Sequence, residues 1–410
     1  MKSLLSYVLF VTVMLAGGCL TKTPKAIGNE LEDFKLTGKE AQSIHLERLS
    51  EASVSYETRP EKIKGRDVIT GPESIFAPKR TGSYFRKKTL RCDYIDVADK
   101  EFEMPGGLTQ KFLCRDDGQY GSKIWKVKYT LPQEKRPNAE VFTEVAANRL
   151  LWMLGLYSDT TNPVKVDCKG CPKDPWFDYY REGKSYPDRD STRVFTFAIV
   201  EEKLTGEQFK HRTKKGEVYA EGFKFKDFLK DSDARSQSEN NSRFLLASVH
   251  GLLYSTDSKA GNQKLICIRN QSQKEITAKG CEKIVAFTSD LGFSFGGHDI
   301  TDIKTSKANY EYWKNHTLIN SECVIDTHII GERGIRFRLT KEQLAFVSER
   351  FQAISRSQWI DLYTVSQFFL FKYATPDGMS RENRIETIPK AWADLTLEKI
   401  ASLNKAKNCK

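Results

Sequence analysis

Residues 240–268 read NNSRFLLASVHGLLYSTDSKAGNQKLICI, and residues 283–297 read KIVAFTSDLGFSFGG. Leu245, Val249 and Leu252 recur at helical spacing, so the first run begins as a helix. A polar loop follows this helix and leads into two short apolar runs, which are typical of strands. The stretch therefore predicts a helix, a loop and two strands, in that order.

The loop and the end of the second strand carry the residue types that phosphoryl transfer requires. Such a site uses an Asp to orient or deprotonate the attacking hydroxyl, and an Asn and a second Asp to hold a metal against the phosphates. Asp257 and Asn262 have the spacing D-x-K-x-x-N, Lys259 is placed to reach a γ-phosphate, and Asp290 opens an Asp-Leu-Gly sequence. We therefore predict Asp257 and Lys259 as catalytic residues and Asn262 and Asp290 as metal ligands.

A strand and a helix upstream supply a lysine and two glutamates. Alternation along KIWKVKY puts Lys126 and Lys128 on one face of a strand, opposite its apolar residues. The amphipathic helix predicted over 139–154 carries Glu140 and Glu144. An ion pair between a strand lysine and a helix glutamate pins the α- and β-phosphates in phosphoryl-transfer sites. We assign this role to Lys128 and Glu144, with Glu140 as the alternative partner.

The length and charge of the chain limit the domain organisation and the binding partners that we expect. With 410 residues, the chain is long enough for two or three domains or lobes. Its formal net charge of +11 is spread along the sequence, without zinc-finger spacing or a cluster of arginines and aromatics. We interpret the charge as general surface chemistry with some affinity for anionic lipid or phosphate, and we expect no nucleic-acid partner.

The N-terminus predicts export. An apolar run over 4–16 follows a basic start, as in a secretory signal, and it is too short to span a membrane. The sequence LAGGC that ends at Cys19 resembles a bacterial lipobox, in which the cysteine is lipidated, although the usual core has one glycine fewer. Ordinary cleavage near Ala16 is the alternative. Because Leu20 is not the aspartate of an inner-membrane retention signal, we expect an outer-membrane lipoprotein that is anchored through Cys19.

Eight cysteines follow Cys19, and an even number in an exported chain indicates structural disulfides. The spacing does not fix their connectivity, but pairing of sequence neighbours suggests four bridges. A redox role for the C-x-x-C motif is disfavoured because no thioredoxin-like βαβ pattern surrounds it. The suggested bridges are Cys92–Cys114, Cys168–Cys171, Cys267–Cys281 and Cys323–Cys409.

Taken together, these residues resemble the atypical branch of the protein-kinase-like superfamily. HipA-type kinases are the nearest, and the phosphatidylinositol-kinase-like and CotH-type kinases are more distant. The sequence GGLTQK over 106–111 is similar to a HipA-like Gly-x-x-x-Lys phosphate loop, and Lys128 with Glu144, the loop over 257–262 and the Asp290 sequence complete the set. The chain also resembles a group of uncharacterised bacterial proteins that pair a WKVK strand, an E-x-A-A-x-R-L helix and a late Asp-Leu-Gly.

The resemblance implies an α+β fold with two lobes and a phosphotransferase that uses ATP and Mg²⁺. It adds Gly107 and Lys111 as residues of the phosphate loop that contact the phosphates. The expected substrate is an envelope or extracellular protein or lipid. A catalytically silent, pseudokinase-type lipoprotein and an unrelated structural or binding lipoprotein remain as alternatives. The expected parts are a signal peptide over 1–18, a lipidated polar tether over 19–80, a strand-rich small lobe over 81–200 and a helix-rich large lobe over 201–410.

Overall fold

The protein is described by a computed structural model, which carries no ligand. Cys19 and Gly107 lie outside the described residues, so the predictions of lipidation and of a glycine phosphate contact are not tested by the fold. The structure describes residues 31–32, 39–82, 84–99, 101, 109–131, 138–212, 218–220, 222–230, 236–268, 281–296, 307–327, 334–379, 382–406 and 409.

The elements combine α-helices with β-strands, as predicted, and the strands dominate the first half of the chain. The strands are β1 (Leu31–Glu32), β2 (Lys79–Thr81), β3 (Tyr84–Arg86), β4 (Lys88–Tyr94), β5 (Lys111–Asp116), β6 (Ile124–Thr130), β7 (Thr160–Lys169), β8 (Thr192–Glu202), β9 (Glu207–Arg212), β10 (Val218–Ala220), β11 (Gln263–Ile268), β12 (Lys283–Thr288), β13 (Val324–Asp326) and β14 (Arg336–Arg338). The α-helices are α1 (Lys39–Glu51), α2 (Pro60–Lys64), α3 (Glu140–Met153), α4 (Phe225–Lys230), α5 (Gln237–Leu253), α6 (Tyr310–Asn315), α7 (Lys341–Gln352), α8 (Arg356–Val365) and α9 (Arg384–Leu403).

Five strands form a closed barrel in the order β4-β5-β6-β8-β7. Neighbouring strands are antiparallel except β4 and β7, whose parallel pairing closes the barrel. Alternate residues of β6 point inward, and Trp125, Val127 and Tyr129 are buried in the barrel core. Lys126 and Lys128 therefore lie on the outer face of the barrel, as the alternation of the sequence predicts.

Helix α3 joins the barrel to the remainder of the chain. It packs against β6, β7 and β8 on one side and against α5 and α8 on the other. Its apolar residues belong to the largest core cluster, which also contains residues of α5, α7, α8 and α9. A change in the position of α3 would therefore disturb both halves of the molecule.

The prediction of a polar tether over 19–80 is wrong for the described residues from Leu49 onward. Leu49 and Ile63 are fully buried in the same core as α3. Ser53 pairs with Val285 of β12, and the two segments exchange backbone hydrogen bonds there. The low density of apolar residues suggested a solvated segment, but several of them, including Val54 and Val68, are buried in the core.

All four suggested cysteine pairs lie at disulfide distance, with Cα atoms 5.4–5.7 Å apart. Disulfides persist in oxidising surroundings, so these four fit a compartment other than the cytoplasm. Within the described ranges, no helix combines the length and the apolar character needed to cross a membrane.

Candidate functional site

The ammonium of Lys128 lies at the centre of the candidate site. It contacts Oε1 of Glu144 directly and lies 3.3 Å from Oε2 of Glu140 and 3.0 Å from Oδ1 of Asp290. Lys128 and the two glutamates are buried, whereas the side chain of Asp290 is 54% exposed. The ion pair predicted between Lys128 and Glu144 is present, and the site opens to solvent on the side of Asp290.

The start of α3 is tied to the end of β6, which fixes the two glutamates opposite the lysine. Asn138 accepts a hydrogen bond from the backbone N–H of Glu140 at 3.2 Å. Its amide nitrogen donates to the backbone carbonyls of Gln110 and Tyr129 at 3.2 and 3.1 Å. Glu140 and Glu144 are one helical turn apart, so both face the same strand.

The Asp-Leu-Gly sequence packs tightly against α3. Asp290 has a φ of +54°, in the left-handed region, which turns the chain immediately after β12. A Cβ at position 292 would overlap the side chain of Glu140, and the hydroxyl of Thr143 donates to the carbonyl of Gly292 at 2.6 Å. Glycine is therefore required here by a close approach of the backbone to the helix.

Lys307, which the sequence did not indicate, is part of the same charge network. Its ammonium lies 2.7 Å from Oε1 of Glu140 and 3.7 Å from the ring centroid of Phe293. Glu140 thus contacts two lysines, and it is the alternative partner that the helix pattern offered for Lys128. No motif could have identified Lys307, because the contact depends on the return of the chain to α3.

The pKa values of the two glutamates are shifted in opposite directions. Burial favours the neutral form of both, but the ammonium groups of Lys307 and Lys128 outweigh it and lower the pKa of Glu140 to about 2. Glu144 faces one lysine and the carboxylate of Asp290, so burial raises its pKa to about 8. The Lys128 ammonium holds the pKa of Asp290 well below its usual range. Glu144 is therefore the group of the cluster that takes up a proton most easily.

The loop after α5 brings three of the predicted residues together. Oδ2 of Asp257 accepts hydrogen bonds from the Lys259 ammonium at 2.8 Å and the Asn262 amide at 3.1 Å. The backbone N–H of Ser289 donates to the carbonyl of Asn262 at 2.8 Å. This bond joins the loop to the residue before Asp290, so both predicted metal ligands stand at one end of the β11–β12 hairpin.

A buried histidine contacts both this loop and β12. Nδ1 of His250 lies 3.1 Å from the hydroxyl of Ser258, and Nε2 lies 3.0 Å from the hydroxyl of Thr288. Burial lowers the pKa of His250 to about 3, so the ring is neutral and has one donor and one acceptor nitrogen. His250 therefore connects the Asp257 loop to β12. Sequence reasoning missed it, since a single histidine on a helix has no distinguishing spacing.

Lys111 lies beside Lys128. The two residues are opposite each other on β5 and β6, so their side chains share the outer face of the barrel. Lys111 is buried and lies 5.4 Å from the ring centroid of Trp176; burial, with the Lys128 ammonium, lowers its pKa. Two adjacent ammonium groups at this point suit a ligand with more than one phosphate.

The oxygens of three carboxylates are close enough to share a cation. Within the part of the chain that the structure describes, Glu140, Glu144 and Asp290 each offer an oxygen, and these atoms lie within 4.8 Å of one another. Asp290 is the accessible member, and carboxylate and amide oxygens are the ligands that Mg²⁺ prefers. Asp290 is thus a suitable ligand for the predicted magnesium ion, and Asn262 stands at the same end of the β11–β12 hairpin.

Similarity to known proteins is found among solved structures, whereas no family model and no curated protein matches the chain. Among solved structures, the chain is similar to the Helicobacter pylori proinflammatory kinase CtkA, with 13% identity and a TM-score of 0.37 over 76% of this chain and 95% of that chain.

Proposed function

We propose that the protein is a metal-dependent phosphotransferase with a two-lobed, kinase-like fold. The observation that carries the proposal is the contact of Lys128 with Glu144 of α3 and Asp290 of the Asp-Leu-Gly sequence. One ammonium then links the barrel, the helix and the end of the β11–β12 hairpin. The proposed small lobe spans 81–200, and the proposed large lobe spans 201–410.

Each residue has a defined part in the proposed reaction. Lys128 binds oxygens of the α- and β-phosphates, and Glu144 holds Lys128 in place. Asp257 orients the acceptor hydroxyl and accepts its proton as the oxygen attacks the terminal phosphorus. Asn262 and Asp290 would hold Mg²⁺, which neutralises charge on the phosphates.

Lys111 and Lys259 provide additional positive charge. Lys111 extends the phosphate-binding surface beside Lys128. Lys259 now contacts Asp257, and a terminal phosphate would offer it a second partner. Gly107, outside the described residues, remains the proposed backbone contact to the phosphates. ATP is the donor that the resemblance implies, and the acceptor is a hydroxyl on an envelope or extracellular protein or lipid.

The proposal predicts a large effect of Asp290→Ala. Wild-type protein should melt at a higher temperature with ATP and Mg²⁺ together than with either alone, and it should transfer phosphate to a protein or lipid of an envelope extract. Asp290→Ala removes a metal ligand, so we expect no Mg²⁺-dependent shift and a fall in transfer of at least about 100-fold.

Asp394→Ala is the matched control, because Asp394 forms a surface ion pair with Arg356. It should retain both the Mg²⁺-dependent shift and the transfer. A wild-type protein that binds ATP and Mg²⁺ but transfers no phosphate would instead be a catalytically silent binding protein. A wild-type protein without any such shift contradicts the proposal.

We also propose that the protein is a lipoprotein of the bacterial outer membrane. The four disulfides support a location outside the cytoplasm, and the lipobox-like sequence ending at Cys19 supplies the anchor. Labelled palmitate should be incorporated by the wild type and not by Cys19→Ser. Release of both forms into the soluble fraction without label would indicate ordinary secretion.

A further inference from the structure

A row of ion pairs continues the candidate site along the barrel, at the end of β8. Lys126 contacts Oε2 of Glu201, and Lys203 contacts Oε1 of the same carboxylate. Lys203 also lies 3.0 Å from Oδ2 of Asp159, and the two carboxylates are almost fully buried. Four charged side chains therefore form one connected wall.

This wall lies on the same face as Lys128. The register of β6 and β8 places Val127 opposite Val200, and both point into the barrel. Because side chains alternate along a strand, Lys126 and Glu201 point outward together with Lys128. The ion pairs therefore border the surface on which a phosphate ligand of Lys128 would extend.

The backbone at the end of β8 also forms hydrogen bonds within the protein. Glu201 and Glu202 pair with Thr161 and Thr160 of β7 in the antiparallel ladder. The backbone N–H of Leu204 donates to Oδ1 of Asp159 at 2.9 Å. The edge of β8 that faces β7 therefore uses its polar groups within the protein up to Glu202.

A nucleobase requires different surroundings. Bases are held between apolar or aromatic faces, and their edges are read by free donors and acceptors. Entry of a base beside Lys126 would separate ion pairs whose carboxylates are almost fully buried, and it would leave these carboxylates without partners, which is strongly unfavourable. Among the residues that the structure describes, the wall thus favours recognition of the phosphate groups of a donor.

We propose that the site recognises its donor through a chain of phosphates and not through a base, an inference that rests on the proposed function. Lys128 and Lys111 then provide the recognition, together with a cation that Asp290 would hold. In the reaction, the bond from the terminal phosphorus to its bridging oxygen breaks, the acceptor oxygen bonds to that phosphorus, and the hydroxyl proton goes to Asp257. A donor shortened by one phosphate leaves. ATP is one of several donors, and inorganic tripolyphosphate is another.

The test compares donors on the whole protein with Mg²⁺ present. Midpoint concentrations for thermal stabilisation are measured for ATP, GTP, CTP and inorganic tripolyphosphate, and phosphate transfer to an envelope extract is followed by mass spectrometry. We expect midpoints that agree within about threefold, whereas base recognition produces far larger differences. Lys111→Met should weaken all four donors by a similar factor, and the exposed Lys390→Met should weaken none.

The outcomes separate this inference from the proposed function. ATP bound at least about tenfold more tightly than CTP and tripolyphosphate would overturn the inference and leave the phosphotransferase intact. Equal binding of all four without transfer from any would support recognition by phosphate and overturn the enzymatic function. Absence of binding by every donor would overturn both.

Discussion

The Asp257→Ala variant is expected to lose turnover and to retain its affinity for the phosphate donor. Because Asp257 is proposed to contact the acceptor hydroxyl, its loss should lower kcat by about 10²–10⁴-fold. The affinity for the donor with Mg²⁺ should stay close to the wild-type value, since Lys128 and Asp290 hold the phosphates. Steady-state kinetics together with thermal-shift titrations would measure the two effects on the same preparation.

Asp257→Asn is the control for the shape of the loop. Its amide oxygen can still accept the hydrogen bonds that Lys259 and Asn262 donate to the native carboxylate at 2.8 and 3.1 Å. The loop should therefore keep its conformation, while the proton acceptor is lost and kcat stays low. Near-wild-type kcat in Asp257→Asn would assign the residue a positioning role, and equal loss of binding in both variants would contradict the proposal.

Removal of the bridge between Cys323 and Cys409 should produce the largest loss of stability among the four disulfides. The two residues are 86 positions apart, more than in any other pair. In the chain-entropy account, a bridge of this span removes the most conformational entropy from the unfolded state and so raises its free energy most. Its removal costs about 4–5 kcal/mol of unfolding free energy. Urea unfolding of Cys323→Ser/Cys409→Ser against wild type measures this difference.

The matched control is Cys168→Ser/Cys171→Ser, whose cysteines are only 3 positions apart. The same account gives about 1–2 kcal/mol for this short loop. An equal loss in the two double variants would show that local packing, and not chain entropy, determines the contribution of these bridges.

The central ion pair could be predicted because two short-range patterns specify it. Alternation along β6 places Lys128 on the outer face, and helical periodicity places Glu144 on the side of α3 that faces the barrel. The role of Lys307 could not be predicted, since its contact with Glu140 joins residues 167 positions apart. His250 was missed for the same reason, because its partners are on a loop and a strand that meet only in the fold.

The closure of the barrel was likewise hidden from the sequence. The parallel pairing of β4 with β7 joins strands that are separated by β5, β6 and α3, and no turn signal marks it. The interpretation of 19–80 failed because a polar average conceals a few well-placed apolar residues. The composition of a segment indicates how much apolar surface it can bury. It does not indicate which residues elsewhere in the chain the segment packs against.

The folded N-terminal segment determines where the chain can be shortened for recombinant production. Two fully buried arginines depend on its backbone: Arg149 donates to the carbonyl of Val68 at 2.7 Å, and Arg243 donates to that of Ala52 at 3.2 Å. In a truncated form that begins at residue 81, both guanidinium groups would remain in the interior without these hydrogen-bond acceptors, which is unfavourable. A crystallisation fragment should therefore retain the sequence from α1 onward.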